Sequence, residues 1–266
     1  MNDTTQTNLG RALKIVGSRP ARPDGVDKVT GRALFGADKS LPNMLVGRVL
    51  RSPYAHAKII SIDTSKAEEL KGVKAIVTST DFEDFPSEFV PNGEMVVNMK
   101  DITRNVMARE KALYVGHTVA AVAATSEDIA EQALALIDVT YEVLPHVLEV
   151  EDAEKPGAPL LHDDMITIGI EPAPESASNV AKRVEFGFGD VEKGFSEADL
   201  IIEREFTTQQ VHQGYIEPHA CLASVSEDGQ AELWCTTHGP FVVRTFCSKL
   251  PGSDAGQIRV NVSETG

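Results

Sequence analysis

The stretch TVAAVAATSEDIAEQALALIDVTYEV, residues 118–143, decides the fold. Its first seven residues, Thr118 to Ala124, are small or β-branched and read as a buried strand in a tight environment. Ser126 then offers a hydroxyl to cap a helix whose first turn carries Glu127 and Asp128, where negative charge suits the positive end of the helix dipole. Ile129, Ala130, Ala133, Leu134 and Ile137 recur at helical spacing and give that helix one apolar stripe. IDVTYEVL follows at once as another strand. The pattern predicts a compact strand-helix-strand module that closes near Ala153.

Working outward, MLVGRVLR (44–51), KIISID (58–63) and VKAIVTS (73–79) read as strands, with the short helical SKAEELKG between the second and third. A polar stretch follows from about Asp81 to Lys111. Strands alternating with helices, punctuated by turn residues, make the class α/β, with α+β layers. From Glu154 to Lys182 proline, acidic and small residues dominate without a steady period, so a crossover is expected there. Beyond it DVEKGFSEAD (190–199) reads as helical and LIIEREFTT (200–208) as a strand. CLASVS and AELWCTT form a hairpin across EDGQ. Pro240 can open a helix carrying Val242, Phe246 and Leu250 on one face, and QIRVNVS is the final strand. The expected division is therefore 14–153, a crossover over 154–182, and 183–266.

Composition excludes several classes. With 25 Lys and Arg against 40 Asp and Glu the net charge is -15, spread along the chain, which argues against a nucleic-acid or anionic-membrane surface. No run is long enough to span a bilayer and MNDTTQTNLGRALKIVG has no leader-like apolar core, so cytoplasmic residence is expected. Cys221, Cys235 and Cys247 form neither a CxxC pair nor an even set, and read as buried free thiols rather than ligands of an iron–sulfur cluster.

Four segments then carry a resemblance. RPDGVDKVTGRALFGAD (22–38) with LPNMLVGRVLRSPYAHAKI (41–59) is similar to the opening of the hammerhead domain of the molybdenum-binding catalytic subunits in the xanthine dehydrogenase/aldehyde oxidase family, and YVGHTVAAVAATSEDIAEQALALIDVTYEVLP (114–145) to its second half. FGDVEKGFSEADLIIEREFTTQQVHQGYIEPHACLA (188–223) resembles the start of the molybdopterin-binding region, and LWCTTHGPFVVRTFCSKL (233–250) its next element. The order and spacing of all four agree. In the family a glycine-rich GGGFGGK loop begins where Ser263-Glu264-Thr265-Gly266 stand, so Gly266 would be its first glycine.

The resemblance implies oxidation of an aldehyde or N-heterocycle with oxygen taken from water, which a metal activates by lowering its pKa. It implies a molybdenum-molybdopterin cofactor shared with a continuation chain. Iron–sulfur clusters and FAD are then expected on an iron–sulfur subunit and a flavin subunit that carry the electrons away. His238 stands where the family commonly has a glutamine that hydrogen-bonds an oxygen of molybdenum. An imidazole N–H can also donate, and with Gly239 it lies at a helix amino terminus that favours an anionic ligand; alternatively it only caps the turn. His238, Gly239 and Gly266 are the expected cofactor-binding residues and His238 the catalytic one. Gln210, His212 and Glu217 are near-site candidates.

Other readings remain. QQVHQGYIEPHA holds His212, Glu217 and His219, a set that could suggest a zinc hydrolase, but strand alternation puts His212 on the other face, and no metal site is expected there. A non-catalytic scaffold that pairs with hydroxylase subunits would keep the same surfaces. Asp27, Lys28 and Arg32 read as a docking segment, and His56 and His117 as ordinary hydrogen-bonded histidines. Gly187 and Gly189 lack the Lys-Ser/Thr of a phosphate loop.

Overall fold

A computed structural model describes residues 15–92 and 95–266. The expected domain start at residue 14 and most of the amino-terminal stretch read for a leader lie outside them. The chain forms two compact units. The smaller combines the described residues up to Ser40 with Gly214–Ser248 and Ser253–Gly266, and the larger is Leu41–Gln213 with Lys249–Gly252. This partition differs from 14–153, 154–182 and 183–266, since the proline-rich crossover is held inside the larger unit. Asn179 is one reason: its side chain accepts from the Leu161 amide and donates to the carbonyls of Ala153 and Pro159.

Helix α1 (Gly25–Thr30) belongs to the smaller unit and ends at Gly31, whose φ of 74° is the left-handed cap that glycine adopts freely. The larger unit carries β1 (Val46–Arg51), β2 (Ala57–Asp63), α2 (Ser65–Glu68), β3 (Val73–Thr78), β4 (Phe89–Asn92), β5 (Met95–Asn98), α3 (Met99–Val106), β6 (Lys111–Ala112), β7 (Thr118–Ala124), α4 (Glu127–Leu136), β8 (Asp138–Val143), α5 (Val150–Ala153) and α6 (Val191–Ser196). One antiparallel sheet has the order β1-β7-β3, and a second β6-β2-β8.

The quoted stretch folds as its pattern requires, with one correction. Ser126 accepts from the Ile129 amide at 3.3 Å and caps α4. Ala120, Val122, Ala124, Ala130, Ala133 and Ile137 close into a core with Ala67, and Leu50, Ile62, Ile76 and Val139 pack against it. Alanines on both faces let helix and sheet approach closely. The strands on either side of α4 do not pair, however, and so make no single strand-helix-strand sheet. Both edges of β7 are taken by β1 and β3, so β8 pairs with β2 in the second sheet.

The polar stretch 81–111 is not empty. It forms the β4–β5 hairpin and α3, capped by Asn98, which accepts from the Lys100 amide at 3.1 Å. The signal was there in Asn98 followed by an acidic first turn at Asp101. Two further expectations fail. LIIEREFTT (200–208) forms no strand; no described strand pairs with it, and Leu200, Ile201, Ile202 and Phe206 are exposed. Strand propensity without a pairing edge does not make a strand. The cysteines are free, but Cys221 is exposed and Cys235 and Cys247 are only half-buried. No described helix is long and apolar enough to cross a membrane.

The two core histidines are ordinary ones. His117 is fully buried, its Nδ1 accepting from the Leu113 amide at 3.1 Å and its Nε2 donating to the Arg104 carbonyl at 2.8 Å. Burial lowers its pKa, which favours this neutral form. His56 donates through Nδ1 to the Pro145 carbonyl.

Candidate functional site

In the smaller unit β9 (Cys221–Val225) and β10 (Ala231–Cys235) are antiparallel, the expected hairpin. Helix α7 (Pro240–Lys249) follows, and β11 (Ile258–Val262) lies parallel to β10, with Cys235 opposite Val262. Pro240 stands first in α7, where its missing N–H costs nothing. Because β10 and β11 are parallel neighbours, both carboxyl ends open on the same edge. One leads into Thr236–Gly239 and the other into Ser263–Gly266. That edge is where open α/β sheets bind ligands.

An open cavity of about 760 Å³ lies there, lined by Arg22, Asp24, Lys28, Phe35, His238, Val262 and Ser263–Gly266. His238 is exposed at it. The Gly239 N–H donates to Thr237 Oγ1 at 3.0 Å, which stiffens the turn behind His238.

The Ser263–Gly266 wall is gripped from several sides. The Ser263 amide donates to the Cys235 carbonyl, and the Glu264 amide to the Leu34 carbonyl, each at 3.2 Å. Lys28 Nζ donates to the Thr265 carbonyl at 2.6 Å and pairs with Asp24 at 3.2 Å and Glu264 at 3.7 Å. The Arg22 guanidinium, hydrogen-bonded to Asp24, is the main cause that holds that carboxyl far below its usual range, and Lys28 adds to it. Glu217 faces the same wall: its Oε2 accepts from the Gly266 amide at 2.6 Å, and its Oε1 from Thr236 Oγ1 at 2.6 Å and the Gly36 amide at 3.4 Å. These bonds, that of Thr236 first, lower its pKa.

Of the expected site residues, His238 and Gly266 thus line one cavity, with Gly239 beside His238 and Glu217 bonded to Gly266. Gln210 and His212 lie in the irregular end of the larger unit, and both are exposed. His219 pairs with the Tyr215 hydroxyl, so Glu217 and His219 have separate partners. Among the described residues no group of three or more His, Cys, Asp or Glu could hold a metal ion. Residues missed from sequence are Lys28 as a clamp on this wall, Thr236, and Gly36.

The site suits an oxygen-rich anionic cofactor in space and in donor chemistry. Arg22 and His238 offer N–H groups at an open cavity. At Gly266 a Cβ would come within 2.7 Å of Glu217 Cβ, so only glycine brings the backbone this close.

Comparison with known proteins agrees. Residues 30–145 match the family described as aldehyde oxidase and xanthine dehydrogenase, a/b hammerhead domain, and residues 173–266 the molybdopterin cofactor-binding domain. The chain is 37% identical to a probable xanthine dehydrogenase component of Bacillus subtilis, over 92% of this chain and 30% of that protein. It is 31% identical to the carbon monoxide dehydrogenase large chain of Afipia carboxidovorans, over 99% of this chain and 32% of that one. The crystal structure of quinoline 2-oxidoreductase from Pseudomonas putida 86 superposes with a TM-score of 0.77 at 28% identity, covering 94% of this chain and 30% of that chain. The chain therefore spans about a third of the length of these relatives and belongs to the xanthine dehydrogenase/aldehyde oxidase family, with a match to its hammerhead domain followed by a match to the molybdopterin cofactor-binding domain.

Proposed function

We propose that this chain is part of the catalytic subunit of a molybdenum hydroxylase. The hammerhead domain occupies 14–153, a crossover 154–182, and the first part of the molybdopterin-binding domain 183–266. The enzyme oxidises an aldehyde or N-heterocyclic substrate with oxygen from water, and electrons leave through iron–sulfur and FAD-containing partner subunits in the cytoplasm. The observation that carries this reading is the meeting of His238 and Gly266 at one cavity, at the carboxyl ends of two parallel strands.

Molybdopterin would be held between the His238–Gly239 turn and the Ser263–Gly266 wall, where it would supply the activated water and accept electrons. This chain's contribution is an N–H from the His238 imidazole to an oxygen of the bound group, and a backbone brought close by Gly266. Gln210 and His212 are near-site residues in the same scheme. The remaining walls come from further polypeptide of the same subunit type. Phe186, Phe188 and Phe206, 94%, 95% and 87% exposed, support this, because apolar side chains so open call for a cover.

The test is to purify the subunit with its partners and measure molybdenum, iron and hydroxylase activity. Molybdenum and iron in stoichiometric amounts, with turnover, are expected. His238→Ala should lower turnover by about 10²-fold, the usual cost of one preorganised donor, while molybdenum is retained. Unchanged kinetics would remove His238 from the site. A metal-free, inactive complex would favour the scaffold.

A further inference from the structure

We infer that Glu217 is the positioning residue of this cradle, its carboxylate locking the Ser263–Gly266 wall to the turn that carries His238; the inference rests on the molybdenum-hydroxylase reading. The two oxygens divide the task. Oε2 takes the Gly266 amide, and Oε1 takes Thr236 and the Gly36 amide. Thr236 stands two residues before His238, at the exit of β10. One carboxylate thus ties together the segments that follow both parallel strands and the Gly36 turn.

The fit around it is independent of those bonds. Both amide donors are glycines, and each stands where a side chain would collide. A Cβ on Gly36 would lie 2.8 Å from the Ala220 carbonyl oxygen, and one on Gly266 2.7 Å from Glu217 Cβ. On the opposite side Lys28 holds the Thr265 carbonyl, so the wall is fixed through both its donor and its acceptor groups.

Chemistry explains why the residue is an acid. All three groups aimed at it carry protons, and the two amides address different oxygens. Glutamine has one acceptor oxygen and would turn its NH2 towards one of the amides, leaving it without an acceptor. The Thr236 hydroxyl can turn round; a backbone N–H cannot. Since Thr236 gives its proton to Glu217, the Ser263 hydroxyl donates to Thr236, at 2.9 Å, and extends the network along the wall.

The experiment uses the complete subunit purified with its partners and compares wild type with Glu217→Gln and Glu217→Asp. Amide hydrogen exchange over residues 263–266 and at Gly36 reads the wall directly, and the rate of molybdenum loss into a chelator reads the cradle. In Glu217→Gln whichever of the Gly266 and Gly36 amides faces the new NH2 should exchange tenfold faster or more, as expected for a lost bond to a charged acceptor, with residues 258–261 unchanged. Molybdenum should leave about tenfold faster, the scale of a lost supporting interaction around a metal. Glu217→Asp, which keeps two acceptor oxygens, should recover part of both. Wild-type exchange at both the Gly266 and the Gly36 amide, together with wild-type retention of molybdenum in Glu217→Gln, would overturn the inference.

Should Glu217→Gln fail to assemble, Thr236→Val and Gly36→Ala must each speed exchange at Gly266, and no change in either overturns it equally. A wild-type complex without molybdenum would sink the functional reading alone, because the exchange at Gly266 still judges Glu217.

Discussion

Residues 118–137 and residues 184–211 lie in the same compact unit and both carry apolar runs, yet they end in opposite environments. Val122 is 1% exposed and Ala133 fully buried, while Phe186 and Phe188 stand almost wholly in solvent. The first region has every partner it needs within the chain: β1 and β3 flank β7, and α4 covers the sheet. The second has turn residues and apolar side chains but no pairing edge among the described residues. The hammerhead region thus explains its own apolar pattern, whereas the later region leaves its apolar side chains uncovered among the described residues.

The largest effect that would sharpen this contrast falls on His117. His117→Leu removes the acceptor for the Leu113 amide and the donor to the Arg104 carbonyl, both half-buried groups. Two stranded groups at about 1–3 kcal/mol each predict a loss of about 3 kcal/mol in urea unfolding. Its pH signature has a definite sign. The native pKa lies below the ordinary imidazole value of 6.5, because burial disfavours the cation. The unfolded chain therefore takes up the proton first. The contribution of His117 is complete above about pH 6.5 and falls away as pH drops from there through the depressed native value. His117→Leu should lose that dependence, and an unchanged pH profile would break the argument.

Gly72→Ala comes next. Gly72 has a φ of 106°, and its Cβ would lie 2.7 Å from Ile129 Cδ1 and 2.9 Å from Thr125 Oγ1. Backbone strain and overpacking against α4 together predict a loss of about 2 kcal/mol in the same measurement. Ser126→Ala is milder, about 1 kcal/mol, since it strips only the cap on the Ile129 amide.

These residues also mark what the sequence makes legible. Ser126 and the α4 stripe follow rules acting over three or four positions, so the cap and the buried face could be read directly. The partners of β7 could not, because pairing joins Val46 to Ala124 and Val77 to Ala121. At the site the turn bearing His238 was readable by resemblance. The task of Glu217 was not, since its partners Thr236, Gly266 and Gly36 are 19, 49 and 181 positions away. LIIEREFTT misled for the converse reason: its composition favours a strand for which the described residues offer no partner edge.

The smallest effect on the chain's own stability is the one that tests the contrast from the other side. Phe188→Ser removes a ring that is 95% exposed, so urea unfolding should move by no more than about 0.5 kcal/mol. On the proposed reading, in which further polypeptide covers this run, the same substitution should weaken that association, because a fully covered phenylalanine contributes about 1.5–3 kcal/mol. Pull-down of the purified partners by wild type and by Phe188→Ser separates the two quantities. Loss of stability as large as that of Ser126→Ala would mean that the ring packs within this chain, and the contrast between the two regions would fail. Unchanged stability together with lost association would mean that the exposed apolar run is a surface the chain keeps for the polypeptide that covers it.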